Sequence, residues 1–233
     1  MSSSGFQFKQ FFIGHDQCAM KVNTDGILLG AIADVSNTQQ ILDLGTGSSL
    51  IAIMLAQRTA CSQITAIELE PNAYQQAKSN AQASPWAERI HILQGDILHA
   101  HFSAQFDLIV SNPPYFEHSL ASRNEQRDLA RMASQSHLAW LKRSKAWLMP
   151  HGKISLILPV QEGNNLIQQA ESISLFCIEK WLIHTKETSP PKRMIVTFAL
   201  MPEPCVEKNL TIHRQGQYSA EFKALTQDFY LNF

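Results

Sequence analysis

The feature that most constrains the fold is the alternation of short apolar segments with helical segments along the chain. Seven strands are predicted, at residues 40–44, 63–68, 90–94, 106–110, 153–159, 178–185 and 194–201. Helices predicted at residues 49–58, 71–83, 123–149 and 163–172 separate the first strands. Strands joined through helices form a mostly parallel sheet with helices on both faces. Only a short loop, residues 187–191, joins the last two strands, which predicts a C-terminal antiparallel hairpin.

Length and composition are those of one globular domain. The chain has 233 residues, of which 45% are hydrophobic and 17% are charged. We expect one domain over 1–233, with an N-terminal segment (1–39) ahead of a Rossmann-like core (40–233). The net charge of −1 argues weakly against a nucleic-acid partner, but the local distribution of charge matters more.

Cysteine and histidine usage argues against a metal site. The four cysteines form no CxxC pair, and the nine histidines show no metal-ligand spacing. Scattered cysteines are typical of a reducing compartment and of buried free thiols. No signal peptide and no apolar run of about 18 residues is seen, so we expect a cytoplasmic protein without a membrane span.

A glycine-bearing turn follows the first predicted strand. It contains Asp43, Gly45, Thr46 and Gly47, and an apolar helix comes directly after it. Glycines at such a turn let a ligand approach the backbone. A dinucleotide fingerprint would need glycine where Leu50 stands, which disfavours NAD. A glycine turn of no functional importance in an α/β protein remains the alternative.

Acidic residues follow the next two strands. Glu68 lies about twenty residues beyond the glycines, where an acid binds ribose hydroxyls. Asp96 follows the third strand, and we expect it to accept from an adenine amino group; an ordinary turn-forming aspartate is the alternative. Leu69 and Ile97, the residues after these acids, are expected in the same site.

The residues Asn112, Pro113, Pro114 and Tyr115 follow the fourth strand. The prolines fix the backbone and remove two donors, which leaves the Asn112 side-chain oxygen and the Pro113 carbonyl as rigid acceptors. Two acceptors can hold both hydrogens of an amino group, and Tyr115 offers a flat face for stacking a base. The alternative is a proline-rich turn.

Together with the glycine turn, this motif resembles class I amino-methyltransferases, which use S-adenosylmethionine (SAM). Their targets are adenine, guanine or a glutamine amide. Residues 20–30, Phe116, Ala130, Arg131 and residues 228–231 narrow the resemblance to bacterial tRNA(Val) adenine N(6)-methyltransferases, over nearly the whole chain. The resemblance implies a seven-stranded class I sheet and methyl transfer to the 6-amino group of the adenine beside the anticodon. Ser49 stands where this family usually has glycine.

The resemblance also implies roles for residues 21–30, which would close over the methionine end of SAM. Lys21, Thr24 and Asp25 would be its contacts. Ordinary helix capping by Asn23 or Thr24, with Asp25 in the first turn, is the other interpretation, and the two are compatible.

Two groups of basic residues are candidate RNA contacts. Arg123, Arg127 and Arg131 are four residues apart and would form one helical stripe, and Lys192 and Arg193 flank the loop between the last strands. We expect Tyr115, Phe116 and these cations to bind tRNA. A solvated charged face is the alternative for each cation.

Other functions remain open at this point. One is amino-methylation of ribosomal RNA, DNA or a protein glutamine. Another is a non-catalytic RNA-binding module on a methyltransferase fold, which Ser49 favours and the intact Asn112–Tyr115 motif disfavours. The oligomeric state is open, with a monomer as the expectation.

Overall fold

The computed structural model describes residues 4–113 and 137–232. Within these ranges a nine-stranded sheet has the order β11-β10-β8-β9-β7-β6-β3-β4-β5, and a separate hairpin pairs β1 with β2. The strands are β1 Gly5–Gln7, β2 Phe12–Gly14, β3 Gln40–Leu44, β4 Gln63–Glu68, β5 Ile90–Gln94, β6 Phe106–Ser111, β7 Leu148–Pro159, β8 Phe176–Lys186, β9 Arg193–Ala199, β10 Val206–Arg214 and β11 Gln217–Tyr218. The helices are α1 Thr24–Ile32, α2 Leu50–Arg58, α3 Pro71–Ala83, α4 (residues 137–146), α5 Val160–Ala170 and α6 Ala220–Thr226.

The parallel part of the sheet confirms the predicted α/β class. Strands β3 to β7 run parallel to one another, with β3 between β4 and β6. All their carboxyl ends therefore lie at one edge of the sheet. The bounds of β3, β4 and β5 are the predicted ones.

The C-terminal hairpin is also confirmed, since β9 is antiparallel to both β7 and β8. Two strands beyond the predicted seven extend this side: β10 pairs parallel with β8, and β11 is antiparallel to β10. The first half of β10, residues 206–209, holds one apolar residue, two charged residues and an asparagine, and it is largely exposed. The hydrophobic pattern of β10 is weak, because a strand near the edge of a sheet buries few of its side chains.

Two predicted helices have different bounds in the structure. The helix predicted over 123–149 ends at residue 146, because Leu148 already pairs with Phe106 as the first residue of β7. Residues 123–136 lie outside the described residues. Helix α5 begins at Val160 rather than at 163, directly after Pro159, which takes the N-cap position.

The core lies on both faces of the sheet. Alternate residues of β9 divide between two clusters, with Ile195 on one face and Val196 on the other. Helices α1, α2, α3 and α6 contribute to the cluster on the first face, and α4 and α5 to the cluster on the second. No helix in the described ranges is long and apolar enough to cross a bilayer. The four cysteines are free thiols, but Cys61 and Cys205 are exposed, so their predicted burial is wrong; both lie outside the apolar clusters.

Candidate active site

A cavity of about 330 Å³ lies at the carboxyl ends of β3, β4, β5 and β6. Its size is at the lower end of the range for small-molecule sites. The predicted site residues that line it are Lys21, Gly45, Thr46, Gly47, Glu68, Leu69, Asp96, Ile97 and Asn112. The topology thus brings the residues of four strand ends together around one cavity.

The glycine turn between β3 and α2 forms the floor of this cavity. Gly45 and Gly47 have φ values of +68° and +57°, in the left-handed region that favours glycine. A Cβ added at Gly47 would meet no atom within 4 Å, so this backbone faces open space. A Cβ at Gly45 would stand 3.2 Å from the ring of Trp140. The turn therefore needs glycine for its conformation and exposes its backbone to a ligand.

Ser49 continues this turn under strain. It has a φ of +66°, is fully buried and precedes α2 without capping it. Its hydroxyl oxygen has no hydrogen-bond partner in the described structure. The position thus has the backbone conformation of a glycine but carries a serine.

Asp43 does not line the cavity, although the sequence analysis places it among the cofactor contacts. Its side chain is fully buried behind the turn, where Thr46 Oγ1 donates to its Oδ2 over 2.6 Å. Burial raises the pKa of the carboxyl to about 7. Asp43 therefore stabilises the turn through its hydrogen bond with Thr46 and does not contact the cavity.

Glu68 links the end of β4 to the glycine turn. Its Oε2 accepts from the backbone N–H of Gly47 over 2.8 Å, and its Oε1 accepts from the N–H of Glu70 over 3.0 Å. A carboxylate has about four acceptor positions, so each oxygen can accept a further hydrogen bond. Glu70 also lines the cavity, and it caps α3 by accepting from Ala73 N over 2.7 Å, as expected for a residue that begins a helix.

Asp96 both lines the cavity and forms a turn. Its Oδ1 accepts from Leu98 N over 2.9 Å, and its Oδ2 lies 2.7 Å from His99 Nδ1. The backbone hydrogen bond from Leu98 lowers the pKa of this carboxyl. The group is ionised at neutral pH and can act only as an acceptor.

Asn112 stands at the end of β6, where its Nδ2 lies 3.7 Å from Sδ of Met20. Pro113 follows it and is buried. The other residues predicted for catalysis or RNA binding on this side lie outside the described residues: Pro114, Tyr115, Phe116, Arg123, Arg127 and Arg131.

The N-terminal segment covers one side of the cavity. Cys18, Met20 and Lys21 line it. Burial, followed by the charge of Glu68, raises the pKa of the Cys18 thiol to about 11. The predicted capping is observed, since Asn23 Oδ1 accepts from the N–H of Gly26 over 2.9 Å. This segment thus joins the glycine turn and the strand ends in enclosing the site.

Two predicted contacts of this segment do not line the cavity. Thr24 is exposed at the start of α1, and Asp25 pairs with Arg193, with 2.8 Å between Oδ2 and Nε. Arg193, predicted as an RNA contact, is therefore engaged by a carboxylate, while its neighbour Lys192 is exposed. No sequence signal connects Asp25 with Arg193, because 168 positions separate them.

Two residues missed by the sequence analysis shape the site. Trp140 of α4 lines the cavity beside Gly45. Asn80 of α3 is buried, and its Nδ2 donates to the carbonyls of Gly14 and Ser48 over 2.8 Å each. No sequence signal singles out Asn80, because most residues of α3 are polar. Across residues 4–113 and 137–232 there is no cluster of three or more metal-ligating side chains.

Comparisons with known proteins agree with this architecture. The model of the methyltransferase small domain family matches residues 21–157. A tRNA1(Val) (adenine(37)-N6)-methyltransferase of Glaesserella parasuis is 60% identical, over 98% of this chain and 97% of that protein.

Solved structures match in fold. A predicted O-methyltransferase from Agrobacterium tumefaciens has a TM-score of 0.69 at 21% identity, covering 88% of this chain and 96% of that one. A glycopeptide N-methyltransferase in complex with SAM has a TM-score of 0.58 at 11% identity, covering 77% and 88%. With the family match and the 60% identical relative, the chain belongs to the methyltransferase small domain family, among the bacterial tRNA1(Val) (adenine(37)-N6)-methyltransferases.

Proposed function

We propose that the protein transfers a methyl group from SAM to the 6-amino group of an adenine in tRNA, the adenine at position 37 beside the anticodon of tRNA1(Val). The observation that carries the proposal is that Asn112 opens into the same cavity as the Gly45–Gly47 turn. An acceptor for an amino group thus stands beside a site suited to a nucleoside cofactor. The 60% identity to a relative with this activity gives the substrate.

The residues around the cavity fit SAM. The open space above Gly47 leaves room against the backbone that any side chain would fill. Glu68 has acceptor capacity for two ribose hydroxyls, and Asp96 has acceptor capacity for the adenine amino group. Gly45, Thr46 and Gly47 would form the floor, and Leu69 and Ile97 the walls. Lys21 would lie at the methionine end, with Thr24 and Asp25 holding the first turn of α1. Asp43 would not contact SAM and would act indirectly, by stabilising the glycine turn.

Bound SAM supplies an electrophilic methyl group on a sulfonium. The protein's part is to hold the amine in line with it. The Asn112 side-chain oxygen and the Pro113 carbonyl would accept the two N–H hydrogens of the target. This draws the nitrogen lone pair out of conjugation with the ring and towards the methyl carbon. The methyl group would pass from the sulfur to this nitrogen, and the nitrogen held by Asn112 and Pro113 would then release one proton to solvent. The rate acceleration would come from positioning the amine and from electrostatic stabilisation of the transition state, so no strong base is needed.

The remaining predicted residues belong to the RNA side of the proposal. Tyr115 and Phe116 would stack on the extruded base, with Pro114 holding the loop rigid. Arg123, Arg127, Arg131, Lys192 and Arg193 would contact phosphates; for Arg193 this contact competes with its ion pair to Asp25. A single catalytic domain over 1–233, a monomeric state and the cytoplasm, where tRNA is found, complete the proposal.

The test is methyl transfer from labelled SAM to unmodified total tRNA, with nucleosides identified by mass spectrometry. We expect N(6)-methyladenosine, confined to valine tRNA. Asn112→Ala should lower kcat at least a hundredfold with an unchanged dissociation constant for SAM. Asn209→Ala, at an exposed position on β10 far from the cavity, is the control and should retain activity.

Two results would contradict the proposal. Methyl transfer to protein but not to tRNA would replace the substrate. Failure to bind SAM would remove the enzymatic function altogether and favour a non-catalytic RNA-binding module.

A further inference from the structure

A second concave surface lies beside the cavity, at the same edge of the sheet. We call it the amide groove and define it by Gln161, Asn164, Asn165 and Gln168 of α5 together with Lys192. It has a volume of about 590 Å³. Its lining contrasts with that of the cavity, because four side-chain amides and one ammonium group supply its polar atoms.

The amides form one stripe on α5. Positions separated by three and four residues share a helical face, so these four side chains stand in a row. The opposite face of α5 is buried through Gly163, Leu166 and Ala170. A solvated helix face usually carries ions of both signs, but the stripe is neutral, and Lys192 is the one ionisable residue among those that line the groove.

The groove is close to the end of β6, the strand that Asn112 follows. Ser111 of β6 pairs with Leu156 of β7, and Pro159, which lines the groove, lies three residues further along β7. With a rise of about 3.3 Å per residue and a strand spacing of about 4.8 Å, Ser111 and Pro159 are roughly 11 Å apart. The neighbours of a base held at Asn112 can span that distance.

We propose that the amide groove binds nucleotides that flank the target adenine in the RNA substrate, a proposal that rests on the proposed function. An amide offers both donors and an acceptor, which suits the 2′-hydroxyl and the edges of unpaired bases. Lys192 supplies the single cation that one phosphate requires. The groove lacks the predominantly apolar lining of a small-molecule site.

The test uses two variants of the full chain. Asn164→Ala combined with Gln168→Ala removes two exposed amides, and Lys192→Gln removes the charge but keeps most of the side-chain stem. The matched control combines Gln75→Ala with Lys78→Ala, which are exposed on α3, on the far side of the sheet. All changes are at exposed positions, so folding should be preserved; thermal unfolding checks this.

For the amide variant we expect the KM for tRNA to rise about tenfold, as the loss of two modest hydrogen bonds predicts. The kcat at saturating tRNA and the dissociation constant for SAM should stay unchanged. For Lys192→Gln, the logarithm of the association constant for tRNA should fall less steeply with the logarithm of the salt concentration. The slope should become shallower by about 0.7, the value for one phosphate contact with a single strand. The control should match the wild type in all these quantities.

Binding of fluorescently labelled tRNA is measured alongside methylation, which separates this proposal from the proposed function. If the wild type methylates tRNA and the groove variants behave like the control, the groove proposal is overturned and the function stands. If the wild type binds tRNA through the groove without methylating it, the function fails and the flanking of a target adenine fails with it, while RNA binding by the groove stands. Equal tRNA binding by all variants overturns the groove proposal whatever the activity.

Discussion

Replacing Ser49 by glycine should make the protein more stable. Ser49 has a φ of +66°, in a region where a side chain clashes with its own backbone, and its buried hydroxyl has no hydrogen-bond partner in the described structure. Glycine removes both penalties at once.

The size of the effect follows from four contributions. Relief of the left-handed conformation is worth about 1 to 2 kcal/mol. Removal of a buried, unsatisfied hydroxyl is worth about 1 to 3 kcal/mol. Against this, glycine loses roughly 0.5 to 1 kcal/mol more backbone entropy on folding, and the lost methylene costs about 0.8 kcal/mol. At the middle of these ranges we expect a net gain of about 2 kcal/mol, or a rise in Tm of about 4 to 8 °C for a chain of this length.

Urea and thermal unfolding of the variant measure the gain, and Ser174→Gly is the matched control. Ser174 also has a positive φ, of +54°, but it is exposed, so its hydroxyl can bind water. Glycine there relieves strain alone and should add about 0.5 to 1 kcal/mol. A gain at Ser49 no larger than at Ser174 would refute the argument from the unsatisfied hydroxyl. A loss of stability at Ser49 would refute the argument from strain as well.

Three further predictions concern the charged and thiol groups of the site. Glu68→Gln should weaken SAM binding about tenfold in isothermal titration calorimetry, since hydrogen bonds to a charged acceptor are stronger than those to a neutral one. An unchanged dissociation constant for SAM would contradict a contact between Glu68 and the ribose. Burial raises the pKa of Asp43 from 3.8 to about 7, so the folded state keeps a proton that the unfolded state releases. Stability should therefore fall as the pH rises from about 4 to about 7, and Asp43→Asn should remove this fall; parallel urea-unfolding profiles for the two proteins would contradict it. Cys18, whose thiol has a pKa raised to about 11 by burial, should react with maleimide at pH 7.5 more slowly than the exposed Cys61 in peptide mapping, and equal rates would show that the thiol is not shielded.

The parts of the fold that the sequence predicts well are those where hydrophobic pattern and turn residues agree. Strands β3 and β4 are apolar segments that end at a glycine turn and at acidic residues, and both bounds are correct. Strand β10 was missed because its first half is polar and exposed, so that only Leu210 and Ile212 in its second half are buried, while its pairing with β8 is made by the backbone. Backbone pairing leaves little trace in a sequence when a strand does not need burial.

In the candidate site, too, residues with a local sequence pattern were predictable and residues brought in by tertiary packing were not. Residues at the strand ends, such as Glu68 and Asn112, were predictable because parallel strands bring their carboxyl ends to one edge. The contact of Trp140 with Gly45 and the ion pair of Asp25 with Arg193 were not, because they depend on how distant elements pack. Tertiary contacts of this kind have no local pattern. Through its ion pair, Asp25 ties α1 to β9 instead of lining the cavity.

The glycine turn is held in place by side chains that do not themselves line the cavity. Ser111 Oγ donates to the carbonyl of Leu44 over 2.8 Å, and Asn80 donates to the carbonyl of Ser48. Asp43 accepts from Thr46 beneath the turn. These three hydrogen bonds therefore fix a backbone that glycine alone would leave loose, because glycine has the most conformational freedom to lose. Because folding has already ordered this turn, a ligand does not have to order it on binding. More of the interaction energy with the ligand therefore contributes to affinity.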